Sequence, residues 1–298
     1  MRTTATVSTL PPVANTLSLA SPPRSLPLSL RLRVALGGFA TMIGWLVLGF
    51  GLLASLIFVG QSELMTASRF DGPLRVTEGK ILRHEWTTMM VEGSYVVRVF
   101  FEYSLGDTPM QGVSYARGTV PADGSPVVVE YSAEDPRVAR IRGMNSAPFP
   151  AAVAFLLIVP GVGLLFLLYG LWRGHRHTYL LVHGLLAQGQ LVEQTETNVT
   201  IHNKRVYRLT FVFVDEQKRR HQIRARSHRH QNLLEHSTEP VLYDPVSQAA
   251  VLLDTIPGSP SAGGNGCFEP ASMVEVLRVL VMPAVAGVLV WLGTWFPL

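Results

Sequence analysis

The chain is poor in charge: 15% of its 298 residues are Asp, Glu, Lys or Arg, against 48% hydrophobic. Soluble domains carry roughly 25% charged residues, so the deficit argues against an ordinary water-soluble globule and for segments that sit in lipid. Cysteine is nearly missing. Cys267 stands alone, which excludes an internal disulfide. The local signatures of common enzymes are missing too: there is no G-x-S-x-G elbow, no phosphate loop and no dinucleotide fingerprint.

Three long uncharged runs are present, at 34–60, 149–172 and 279–298, the last entered past Glu275 and Arg278. A bilayer core of about 30 Å needs about 20 apolar residues in a helix, so each run can span it. We expect transmembrane helices at 34–60, 149–172 and 274–298, the first a retained signal anchor. Pro160-Gly161 in mid-run leaves open a re-entrant hairpin in place of the second crossing. Acids and bases are missing inside the runs, which argues against transport and proton relay. Gly37, Ala40, Gly44, Gly51 and Ser55 recur near helical spacing in the first run and are expected to let another helix approach closely. Residues 1–33, rich in Ser, Thr, Pro and Leu, are expected to form a disordered tail.

The segments 61–148 and 173–257 read as strands. Val97, Val99, Phe101 and Tyr103 alternate along the first, and Tyr207, Leu209, Phe211 and Phe213 along the second, 110 residues later. The same shift lays "TEGKI" at 77–81 on "AQGQL" at 187–191, and "GVSYA" at 112–116 on "QIRAR" at 222–226. Each segment then closes on a short apolar strand, "VARI" or "AVLL". The fold class expected is an α+β membrane protein: three transmembrane helices, with two homologous small all-β units, barrel or sandwich, in the loops. A Gly/Ser/Pro linker at 258–273 leads to the last helix.

The order of a membrane helix, "EG" in a strand, an alternating strand and "VLYDP" before "AVLLD" resembles the bacterial membrane proteins of domain-of-unknown-function family 3592. The resemblance covers roughly 34–256, with the unit present twice. Copy one departs from it, since three residues separate Tyr131 from Asp135-Pro136. It implies architecture and a bacterial envelope setting, and no activity.

Candidate chemistry is sparse. Asp244 before Pro245 reads as a turn. His228 and His230 are where a metal site would begin, but they lack helical i, i+4 spacing and a neighbouring Glu in motif position. We expect no catalytic residue and no cofactor. Copy two carries Lys218, Arg219, Arg220, Arg224 and Arg226, a basic strand that suits anionic lipid headgroups. Nucleic acid is not expected, because no aromatic residues interleave with these charges. Four arginines precede the first run, and Arg173 and Arg176 follow the second. Positive charge stays inside, which predicts an inner-membrane protein with the N-terminus and copy two cytoplasmic, and copy one and the C-terminus outside. The function expected is non-catalytic binding or scaffolding, of a protein partner still to be named; the alternative is a metal-dependent hydrolase using the histidines of copy two.

Overall fold

The computed structural model describes residues 18–91, 93–201, 204–227 and 238–295, with backbone alone at 196–201, 204–206 and 225–227. The chain divides into two units. One comprises Met1–Trp45 with Leu164–Ala284, the other Leu46–Gly163 with Val285–Leu298. Each holds one five-stranded antiparallel sheet.

Copy one consists of β1 (Leu74–Val91), β2 (Ser94–Leu105), β3 (Thr108–Arg117), β4 (Pro126–Ser132) and β5 (Ala139–Ile141), in the order β3-β2-β1-β4-β5. Alternation dictates the core: Val97, Val99, Phe101 and Tyr103 of β2 are buried with Ile81, Val129 and Ile141. The β2–β3 turn is tight, Leu105 pairing with Thr108, and Gly106 supplies the positive φ of 61° that it needs. The sheet closes on itself. Ser114 Oγ accepts the Ile141 N–H at 2.8 Å, and Tyr115 and Asn145 exchange backbone hydrogen bonds, each 2.8 Å. The outer edge of β3 is thereby sealed.

Copy two consists of β6 (Leu185–Ile201), β7 (Lys204–Val214), β8 (Arg220–Ser227), β9 (Thr238–Tyr243) and β10 (Ala250–Leu252). Its order, β10-β9-β6-β7-β8, is that of copy one. The irregularities also correspond. Register shifts fall at Ile81/Arg83 and Trp86/Met90 in β1, and at Leu191/Glu193 and Glu196/Thr200 in β6, each pair 110 residues apart. Leu209, Phe211 and Phe213 fill one core with Val241, Tyr243 and Leu252.

A second core in this unit corrects two boundaries. Leu26, Leu30 and Val34 are buried against Leu180, Leu181, Leu242, Val251, Ile256 and Phe268. The expected tail is therefore structured from residue 18, and includes α1 (Leu28–Leu36). The reason is a stripe at i, i+4, i+8 that the Ser/Pro-rich composition hides. Arg24, 5% exposed, caps the end of α4 (Ile158–His183): its guanidinium donates to the carbonyls of Leu181 (3.3 Å) and Gly184 (2.8 Å). These are carbonyls a helix end leaves without partners, and a cation suits that end of the dipole. The 258–273 linker is folded as well. Gly263 N–H donates to Cys267 O, and Ala20 N–H to Gly266 O, each at 2.9 Å.

Three helical stretches, Phe39–Val59, Ala151–His183 and Met273–Gly293, are long and apolar enough to cross a membrane. The first begins later than expected, because the chain breaks at Gly37-Gly38 between α1 and α2 (Phe39–Ala54). Pro160 makes no hairpin. It is the third residue of α4, where the 3-10 stretch Ala151–Leu157 passes into the α-helix, and the helix runs on to His183. A short helix α3 (Glu63–Ala67) precedes β1, and α5 (Met273–Gly293) is the last helix, with Pro283 inside it. Leu165, Leu168, Trp172 and Trp291 are among many apolar side chains exposed on α4 and α5, which is the surface a bilayer requires.

The small residues of the first span divide by role. Gly44 packs on α4: a Cβ there would lie 2.6 Å from Leu167 N. In the other unit Gly51 does the same, 2.6 Å from Pro160 N. Gly37 lies instead at the helix break, facing Val279 and Pro257 as well as Arg33 O, and Ala40 is half-buried.

Candidate functional site

The β7–β8 hairpin carries the basic strand, and its turn is built around one carboxylate. Asp215, with a side chain 2% exposed, accepts the Arg219 backbone N–H (2.8 Å), Arg219 Nε (2.9 Å) and His221 Nε2 (2.9 Å). Lys218 N–H closes the turn on Asp215 O at 2.9 Å, with Lys218 in the left-handed region at φ 62°. Burial alone would raise the Asp215 pKa. The hydrogen bonds of His221 and Arg219 outweigh it and hold the carboxyl well below the usual carboxylate range. His221 in turn stacks on Phe213, 5.3 Å between ring centres, and Phe213 packs on Tyr243.

This arrangement sorts the five expected cations. Arg219 is an internal partner of Asp215, and Lys218 shapes the turn. Arg220 and Arg224 are exposed on β8, and Arg226 shares their parity. Register adds a residue that the sequence reading missed. Arg208 on β7 is exposed and lies directly across from Arg226. Its signal was present: it alternates with the core residues Leu209 and Phe211, on the opposite face. In the next row Glu193, Thr210 and Arg224 are neighbours across three strands.

The remaining candidates are structural or lie elsewhere. Asp244 Oδ1 accepts the Val246 N–H at 3.0 Å, and Oδ2 accepts the Ser247 hydroxyl at 2.6 Å and its N–H at 3.3 Å, a turn held by its own side chain. The Ser247 hydrogen bond is the main reason its pKa is lowered. His228 and His230 lie outside the described residues. Among the described residues no three His, Cys, Asp or Glu side chains come together as a metal site. No protein-family model matches the chain, and no curated protein does. Chemistry therefore has to be read from the surface itself. It offers the exposed guanidinium groups of Arg208, Arg220 and Arg224 on one sheet, while the Ser247 hydroxyl beside the Asp244 carboxylate is taken up in a turn.

Proposed function

We propose that this is a non-catalytic integral membrane protein of the bacterial inner membrane, akin to family 3592, that binds or scaffolds through two duplicated β units. The observation that carries the reading is the exposed set Arg208, Arg220 and Arg224 on copy two, with Arg226 in register across from Arg208, beside a turn whose buried carboxylate accepts from Arg219 and His221. The tail and copy two are cytoplasmic, and copy one lies outside. Three arginines that precede the second span on the outer side would count against this orientation. Two of them are engaged within their own β unit, Arg140 and Arg142 both on Glu130 at 3.3 and 3.1 Å, and Arg137 lies 3.4 Å from Asp135. That supports discounting them as topology signals.

The partner is anionic, and headgroups of the cytoplasmic leaflet are one source. Each Lys or Arg near such a leaflet adds about 1 kcal/mol. The test uses the full chain in neutral-lipid nanodiscs, because the core of copy two includes Leu26, Leu30 and Phe268. Binding to phosphatidylglycerol vesicles, weak binding to neutral ones, and release by salt are expected. Arg208→Gln with Arg224→Gln should weaken it. Stoichiometric zinc in the purified protein, lost on His228→Ala or His230→Ala, would replace this reading with the hydrolase.

A further inference from the structure

The apolar face of copy one continues past the closed part of its sheet. Val97 and Val99 are 0% exposed inside it. Farther along the same face, Trp86 lies across from Val97, and Met90 across from Tyr95. Trp86, Met90 and Tyr95 are 61%, 57% and 50% exposed. Direct and diagonal cross-strand neighbours lie about 5–8 Å apart, so the three form one patch. A bulge between Trp86 and Met90 fixes them: Thr87 Oγ1 donates to Val96 O at 2.7 Å and accepts the Met89 N–H at 3.3 Å. Copy two repeats this register shift 110 residues later, but there the pairs are Glu196 with Tyr207 and Thr200 with Arg205. The duplication keeps the hairpin and changes its chemistry. Single exposed apolar residues need no account, whereas a contiguous set marks a surface that something apolar covers.

The topology of this unit indicates what covers it. The β2–β3 turn, where Leu105 pairs with Thr108, is one end of the closed sheet. The other end is tied to the spans. There the rung of Glu85, Arg98 and Tyr115 is joined to Asn145 by the two backbone hydrogen bonds of Tyr115. Four residues on, Phe149 O accepts the Glu63 N–H at 2.9 Å, so the chain leaving the first apolar helix meets the chain entering the second. Beside them the Thr66 and Ser146 hydroxyls share a hydrogen bond of 2.7 Å. Tyr95 stands three residues beyond Arg98, about 10 Å at a strand's rise of about 3.3 Å per residue. The reach from Asn145 to Phe149 is at most about 14 Å. The patch thus overhangs the end of the sheet that meets the spans, at about the depth where they begin.

We propose that the β1–β2 hairpin of copy one dips into the bilayer interface beside its own spans, with Trp86, Met90 and Tyr95 set among headgroups and upper acyl chains. This rests on the spans crossing a membrane and adds a second contact with it. Trp and Tyr favour that boundary, because their rings are apolar while the N–H or O–H stays hydrated. The contact is apolar, so it is indifferent to salt, unlike the basic strand of copy two.

The test places a nitroxide on Met90→Cys in a Cys267→Ser background, with one full chain per nanodisc. It compares collisions with oxygen, which concentrates in lipid, and with a water-soluble nickel chelate. Oxygen should dominate at position 90, at low and high salt alike. Ser104→Cys, exposed at the opposite end of β2, should favour nickel. Trp86→Glu with Tyr95→Arg, the residue types of copy two at 196 and 205, should turn position 90 from oxygen to nickel. Leu165→Cys, exposed on α4, reports on the spans themselves. If position 165 favours oxygen and position 90 nickel, the hairpin is in water and the proposal is wrong while the spans stand. If both favour nickel, the membrane reading falls as well. A label at position 90 shielded from both reagents means that protein covers the patch, which also overturns the proposal.

Discussion

Asp215 ties three donors into one turn, and its depressed pKa makes that turn acid-sensitive. A carboxyl whose folded pKa lies below its unfolded value of about 4 adds stability that is present above that value and is lost as pH falls through the folded one. Asp215→Asn should therefore lower the thermal midpoint at pH 7, with the gap to wild type closing below about pH 4. A gap that stays constant down to pH 2 would show that the charge contributes nothing. Arg24 is the second residue whose loss should be felt. Arg24→Met strands the carbonyls of Leu181 and Gly184, at about 1–3 kcal/mol for each group left buried without a partner. A thermal midpoint unchanged in nanodiscs would refute the cap. Neither role could be read from the sequence. Arg24 meets α4 across 157 and 160 residues of chain, and no local pattern encodes such a contact. Arg208 was within reach, had the outer face of β7 been read as closely as the inner one.

At the scale of the element, the glycines on α2 are the sharpest test. Gly44→Leu or Gly51→Leu drives a side chain into the backbone of α4, and overpacking of this kind costs about 1–3 kcal/mol. Gly161→Ala is the control, because nothing lies within 4 Å of its Cβ. If all three melt alike, close helix approach is not what these glycines provide. The strands were readable because their period is local. Val97, Val99 and Phe101 alternate on a pleat of two, and all three are 0% exposed. The strap at 18–36 was not, since its apolar stripe spans only Leu26, Leu30 and Val34 and acquires meaning only against partners from 180 onward.

For the whole molecule the decisive measurement is sidedness. In a Cys267→Ser background, Gln217→Cys at the exposed β7–β8 turn should escape a membrane-impermeant maleimide in intact spheroplasts and react after permeabilisation. Ser104→Cys, exposed at the end of β2, should react at once. The opposite pattern would invert the proposed orientation, and labelling of both in intact spheroplasts would put the two β units on one face. Charge placement along the sequence was enough to frame this test. The engagement of Arg140 and Arg142 with Glu130, which bears on how those charges are counted, needed the fold.

The strap has a consequence for synthesis. Arg33 finds Glu275 across 242 residues of chain, and at ribosomal speeds of about 5–20 residues per second that is a wait of roughly 10–50 s. Leu26, Leu30 and Val34 are made well before Ile256 and Phe268 exist to cover them. Through that interval copy two has strands but lacks one of its two cores, and a nascent chain stalled before residue 256 should leave the strap open to protease. Release of the completed chain should close it. Folding of the unit that holds copy two is thereby delayed until the last apolar helix has been made.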